Sequence, residues 1–333
     1  MQKAMFYDVL EGNNVKCMLC SHQCIISPGK RGICHVRENK DGILYSLNYQ
    51  KLIASQVDPI EKKPLFHFYP GSYSYSIAAF GCNFQCMHCQ NWSISQIKDD
   101  KDPIVGSKTT PEKVIQNAFK NGCLSISYTY TEPTIFYETA FEISQLANEK
   151  GLKNIFITNG YISQKALQKI APFLDAANVD LKAMNEEFYN NICRAKLQPV
   201  LNSIKLYYNL GIWIEITTLI IPGYNDDPLE LKKIAEFIAG IDPGIPWHVT
   251  AFYPTYKLNK LPITPLSTLD LAYKIGKDQG LQFVYKGNIS RGENTHCPGC
   301  GELLIKRDCF NIQNILVNNK CPSCGEKIAG RGL

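Results

Sequence analysis

A chain of 333 residues, 45% of them hydrophobic, is long enough to bury one barrel-sized core and to carry appendages. No run of about eighteen apolar residues occurs, and the opening "MQKAMFYDVLEGNN" has no apolar signal block, so the sequence predicts a cytoplasmic chain with no membrane or secretory role. A formal charge of +5, with bases and acids interspersed, gives no basic stripe to predict nucleic-acid or membrane-surface binding.

In chain order, residues 1 to 70 are irregular and carry Cys17, Cys20, Cys24 and Cys34 within eighteen residues. From 71 to 290 short β-branched or apolar runs alternate with amphipathic stretches, the rhythm of repeated βα units. The predicted strands are Ser76 to Phe80, Leu124 to Tyr128, Asn154 to Thr158, Ala177 to Leu181, Trp213 to Ile220, Trp247 to Phe252 and Gln282 to Tyr285. Thr110-Pro111-Glu112 reads as a cap, a proline at the first helical position and an acid in the first turn, opening a helix that ends near Gly122. Further helices are predicted over Pro133 to Lys150, Ser163 to Leu174, Pro199 to Leu210, Pro228 to Ala239 and Pro265 to Gln279. Residues 291 to 333 form a short third unit with Cys297, Cys300, Cys321 and Cys324.

Periodicity alone allows either a barrel or an open doubly wound sheet. The placement of unusual residues favours the barrel: "GCNFQC", "YTEPT", "TNGY", "DLK" and "IIPGYND" fall at the C-terminal ends of five successive strands, which in a parallel βα barrel form one rim. The expected fold class is α/β, a partial (β/α)6-like barrel with a small cysteine-rich module at each end.

Eleven of the fourteen cysteines fall into three tight clusters, the pattern of metal ligation in a reducing compartment. Cys123, Cys193 and Cys309 stand alone and read as small core residues. In the loop Gly81 to Trp92, Cys82, Cys86 and Cys89 can hold three irons of a 4Fe-4S cube and leave the fourth without a protein ligand, as catalytic metal sites keep one position open. A zinc ion completed by His88 and an electron-transfer cluster completed by a distant cysteine are the other uses of such a loop. His88 lies between Cys86 and Cys89, where convergence on one ion is difficult. The two C-terminal Cys-x-x-Cys knuckles predict zinc, with rubredoxin-like iron using the same thiolates. The N-terminal set is expected to hold structural zinc, with an auxiliary iron-sulfur cluster as the alternative and His22 or His35 able to replace a thiol. A non-catalytic iron-sulfur electron carrier or metal scaffold would carry the same cysteines.

The CxxxCxxC loop after a first barrel strand resembles that of the radical S-adenosylmethionine (SAM) superfamily. The motifs "CMLCSHQCIISPGKRGICHVREN", "VDPIEKKPLFHFYPGS", "FGCNFQCMHCQNWSISQ", "SYTYTEPTIFYE", "FITNGYIS", "NVDLKA", "EITTLIIPGYND", "WHVTAFYP" and "GENTHCPGCGELLIKR" together resemble the radical SAM member of the AmmeMemoRadiSam system, a family related to pyruvate formate-lyase activating enzymes. The resemblance implies reductive cleavage of SAM to a 5′-deoxyadenosyl radical at a 4Fe-4S cluster and hydrogen abstraction from an unidentified substrate. It also implies a low-potential donor such as ferredoxin or flavodoxin, and AMMECR1-like and Memo-like partners. The activating enzymes imply the alternative of installing a glycyl radical on a partner. Carried over by motif, the SAM-binding residues are His88 near adenine, Glu132 and Pro133 where relatives have Gly-Gly-Glu, Asn159 and Gly160, Pro222 and Gly223, and His248. Asp180 and Lys182 alternate with Leu181, so both point to one face, and a carboxylate plus an ammonium suit a zwitterionic ligand or else form a structural ion pair.

Overall fold

Alternation along the strands decides how the central sheet is used. The computed structural model describes residues 1–289, 293–308 and 311–333; Cys309, and Gly292 at the head of the last quoted motif, lie outside the described residues. Its main sheet has eight strands: β1 (Ala54–Pro59), β2 (Tyr73–Ala78), β3 (Ser125–Tyr128), β4 (Lys153–Thr158), β5 (Ala176–Asp180), β6 (Trp213–Ile220), β7 (Trp247–Ala251) and β8 (Val284–Gly287). Strands β2 to β8 are parallel and lie side by side in chain order, while β1 runs antiparallel along β2 at one edge. Between consecutive parallel strands lie α1 (Pro111–Lys120), α2 (Tyr137–Glu149), α3 (Gln164–Ile170), α4 (Leu197–Asn209), α5 (Pro228–Ala239) and α6 (Leu266–Asp278). This is an α/β fold with a mostly parallel central sheet, as the βα rhythm predicts. Caps fix several helix starts: the Thr110 side chain accepts from the Lys113 N–H, and Ser163 and Asp227 do the same for α3 and α5.

On one face of the sheet Ile126, Phe156, Val179, Ile216, Trp247 and Val249 join the large core that includes residues of the helices. The alternate positions face the other way. There Ile155 and Ala176 pack under Ile60, Leu65 and Phe68, while Ser76, Ser127, Asn178 and His248 are polar and buried. The segment 60–69 therefore plugs this second face, and the plug is held by Glu215 in β6. That carboxylate accepts from the N–H groups of Phe66 (2.9 Å) and His67 (2.7 Å) and from Trp213 Nε1 (3.1 Å), and it bonds His248 Nε2 (2.6 Å). His67 passes the connection onward: its Nδ1 donates to the Ala329 carbonyl (2.7 Å), and Nε2 accepts from the Tyr285 hydroxyl (2.6 Å). The C-terminal unit, strands Thr295–His296, Leu303–Asp308 and Asn311–Asn314, docks here through a cluster of Phe283, Tyr285, Cys297, Leu304 and Cys321.

This arrangement makes stability sensitive to mild acid. Burial, outweighing the pull of Glu215, pushes the His67 imidazole down to about 4. Above the ordinary histidine pKa of about 6.5, folded and unfolded states are both neutral. Below it only the unfolded state takes up a proton, so stability falls from about pH 6.5 down to about 4, by about 3 kcal/mol in all. Urea midpoints measured across that window are expected to fall more steeply for the wild type than for His67→Gln; equal slopes would refute this.

Among the described residues no helix is long and apolar enough to cross a membrane. The N-terminal residues form two small antiparallel sheets, one of Gln2–Lys3, Ile43–Ser46 and Arg37–Lys40, the other of Tyr7–Val9, Val15–Cys17 and Ile25–Ile26.

Candidate active site

The C-terminal ends of β2 to β6 bring the predicted motifs to one edge. Gly81, just past β2, has φ +107°, and a Cβ there would meet Val36 at 2.9 Å and the Cys34 carbonyl at 3.2 Å, so the turn into the cysteine loop requires glycine. The loop is then pinned by backbone bonds from Gln85 N–H to the Cys193 carbonyl (3.0 Å) and from Met87 N–H to the Ile192 carbonyl (2.9 Å). Both carbonyls sit in the π-helical turn Tyr189–Cys193. Cys193, an isolated core thiol by sequence, thus supports the loop, and a hydrogen bond from it, opposed by burial and aided by Lys182, draws the Cys86 thiol below its ordinary pKa.

The three loop sulfurs do not all lie within 4.8 Å of one another. Among the described residues only Cys297, Cys300, Cys321 and Cys324 bring three or more ligand atoms within 4.8 Å of each other. Tetrahedral Zn–S bonds of about 2.3 Å place sulfurs roughly 3.8 Å apart. The C-terminal sulfurs fit that geometry, with Cys297 3.5 Å from Cys324 and Cys300 3.7 Å from Cys321. Cys82, Cys86 and Cys89 do not, and their spread suits a group in which each thiolate binds its own iron. Donors already face the sulfurs: Phe84 N–H lies 3.4 Å from Cys82 Sγ, and Ser95 Oγ lies 3.1 Å from Cys89 Sγ.

Around this loop the other predicted residues divide by what they touch. Asn159 donates to Asn83 Oδ1 (2.8 Å) and lies 3.9 Å from Cys82 Sγ, so the end of β4 braces the first cysteine. Gly160 follows at φ +71°, where a Cβ would meet Ser203 Oγ at 2.9 Å and Val179 at 3.0 Å. Glu132 is buried and accepts from Thr134 N–H (3.0 Å), Thr134 Oγ1 (2.5 Å), Thr158 Oγ1 (2.8 Å) and Asn159 N–H (2.8 Å); burial, against these bonds, still raises its pKa. Its carboxylate therefore joins the ends of β3 and β4, and Pro133 starts the short 3-10 turn Pro133–Phe136 ahead of α2. Asp180 and Lys182 form an ion pair of 2.9 Å, with the carboxylate partly open to solvent and the ammonium largely covered. His88 is buried with no partner for Nδ1, and burial, then Lys182, pushes it down to about 3. Pro222 and Gly223 make the turn after β6; there Asn225 donates to the Lys182 carbonyl (2.7 Å), tying that turn to the end of β5. His248 is the exception in company: it lies between Phe66 and Tyr285 and bonds Glu215, within the plug network.

The N-terminal cysteines sit directly behind the loop. Cys17, Cys20, Cys24 and Cys34 line one cavity whose wall also includes Asn83, Thr134 and Ile135. His22 bonds the Asn83 carbonyl at 2.7 Å. Sequence reasoning gave no role to Asn83, Thr158, Glu215 and Asn225, although all four stood inside quoted motifs, and it read Cys193 only as a core residue; the polar character of Asn83 and Asn225 in turns was the one local signal.

A parallel α/β sheet with a three-thiol loop at the C-terminal end of its first parallel strand, β2, defines a class of enzyme, and comparison with known proteins agrees. The sequence profile of the radical SAM superfamily matches residues 76–237. An uncharacterized protein of Methanocaldococcus jannaschii is 47% identical over 99% of this chain and 98% of its own length. The pyruvate formate-lyase 1-activating enzyme of Escherichia coli is 22% identical over 47% of this chain and 65% of that enzyme. Streptococcus suis SuiB bound to S-adenosylmethionine shares the fold at a TM-score of 0.52 and 13% identity, over 69% of this chain and 53% of that one. The chain belongs to the radical SAM superfamily, and the superfamily implies a 4Fe-4S cluster with SAM as co-substrate.

Proposed function

We propose that the chain cleaves SAM reductively and directs the resulting radical at a substrate handled with AMMECR1-like and Memo-like partner proteins, in the cytoplasm, with ferredoxin or flavodoxin as electron donor. The observation that carries this reading is the loop of Cys82, Cys86 and Cys89, three thiols too dispersed for a single ion and seated at the strand ends. When bound there, a 4Fe-4S cluster supplies one low-potential electron and an iron with a free position. The chain's own residues do the rest. Cys82, Cys86 and Cys89 hold the cluster, and Asn159, Asn83 and Cys193 fix the loop. Asp180 and Lys182 present opposite charges to the amino and carboxylate ends of SAM. Glu132 and Pro133, with Gly160, shape the adjoining wall; His88 offers an apolar ring and one unused nitrogen beside the cluster, and Pro222 and Gly223 border the adenine. His248 supports the floor through Glu215 rather than reaching the ligand. In this reading residues 1–70 and 291–333 are modules on a catalytic unit of 71–290, and Cys297, Cys300, Cys321 and Cys324 hold one structural zinc.

Similarity to a pyruvate formate-lyase activating enzyme favours one second reading, in which the radical is installed on a glycine of a partner protein. Both readings share one test. Anaerobically reconstituted, reduced protein is expected to release 5′-deoxyadenosine from SAM, and alanine at Cys82, Cys86 or Cys89 is expected to stop it. No product from protein with its full iron content would overturn the proposal.

A further inference from the structure

We infer that Cys17, Cys20, Cys24 and Cys34 hold a second iron-sulfur cluster, one whose four irons are all ligated by protein, in place of the zinc ion that their spacing predicts. Three observations carry this. First, the four thiols line one common cavity, whose wall mixes apolar residues such as Leu19 and Ile135 with the polar Arg37 and Asn83. Second, no three of these sulfurs lie within 4.8 Å of one another, whereas the C-terminal quartet, in the same chain, meets that distance. A tetrahedral ion draws its sulfurs together to roughly 3.8 Å, while a cube keeps each thiolate at its own corner, separated by the width of the core. Third, Arg37 lines the cavity at 2% exposure with its Nε–H unpartnered. The remainder of its guanidinium is held in a two-pronged pair with Glu138 at 2.7 and 2.6 Å, so the group is fixed in place. A buried donor left this way costs stability unless an acceptor arrives, and a thiolate-ligated cluster brings negative charge and sulfur acceptors to the spot.

The cavity adjoins the catalytic loop. Asn83, in its wall, directly follows Cys82, and Gly81 packs on the Cys34 carbonyl. With every iron capped by a cysteine, the site has no position for a substrate. Its chemistry is confined to bracing the loop from behind and passing single electrons.

The test uses full-length protein in which Cys82, Cys86 and Cys89 are all alanine, reconstituted anaerobically and analysed for iron, acid-labile sulfide and zinc, with Mössbauer spectra. About four irons and four sulfides per chain are expected to remain, and adding Cys20→Ala and Cys34→Ala is expected to remove them. Retention of zinc alone, near two ions per chain, or of no N-terminal metal, would overturn the inference. Should the triple variant fail to fold, iron counting on the wild type decides: about eight irons per chain supports a second cube and about four overturns it. None of these readouts depends on SAM cleavage, so failure here and failure of the catalytic reading are separable.

Discussion

Glu215→Gln is expected to lower the unfolding free energy by about 3–5 kcal/mol. Burial alone would raise the Glu215 pKa, but the bond to His248 and the pull of His67 hold it below the usual carboxylate range, so the group is ionised in the fold. Its two oxygens collect the Phe66 and His67 amides, the Trp213 indole and the His248 ring. An amide of the same shape replaces one acceptor oxygen by an NH2 that faces donors, and each orphaned buried donor costs about 1–3 kcal/mol. The loss spreads along the chain, because His67 carries the Ala329 contact and Arg331 N–H donates to the His67 carbonyl at 2.8 Å. Urea denaturation of metal-loaded protein measures the energy, and hydrogen exchange at Phe66, His67 and Arg331 locates it. A loss below about 1 kcal/mol, or exchange unchanged at those amides, would show that the plug is held by apolar packing alone.

That hub also marks where sequence reading stops. The strands β6 and helix α5 have the predicted bounds, Trp213–Ile220 and Pro228–Ala239, because each is a long patterned run with a local start: Asp227 caps α5 and Pro228 opens it. The last strand runs Val284–Gly287 rather than Gln282 to Tyr285, since the Gln282 N–H is spent on the Pro243 carbonyl outside the ladder. The helix expected from Pro133 is divided, the Glu132 side chain capping a 3-10 turn before α2 begins at Tyr137. These are shifts of local hydrogen bonding, and periodicity tolerates them. The site behaves otherwise. Its cysteine loop was legible because three thiols at fixed spacing carry their chemistry on their face. Glu215 could not be found, as it reaches its amide partners across 149 and 148 residues, and nothing local distinguishes it from an exposed acid. Cys193 likewise gains its role only when the π-helical turn folds back on the loop.

Lys182→Met is expected to weaken SAM binding about thirtyfold or more while leaving the iron content of the catalytic loop intact. Burial would by itself strip the lysine of its proton, but Asp180, then the Cys86 and Cys193 thiols, hold its pKa well above the ordinary range, so a full positive charge sits beside the cluster loop. Removing one member of such a covered, hydrogen-bonded pair costs about 2 kcal/mol or more, and that cost appears in ligand binding only if the ligand shares the pair's charge. Asp180→Asn, altering the more open partner, is expected to have a smaller effect, and the double variant to lose less than the sum of the two. Calorimetric titration of the oxidised, reconstituted protein with SAM gives the three values. If the pair is instead only a strut across the end of β5, the variants will lower the melting temperature and leave the SAM dissociation constant unmoved, and the assignment of both residues to SAM must then be abandoned.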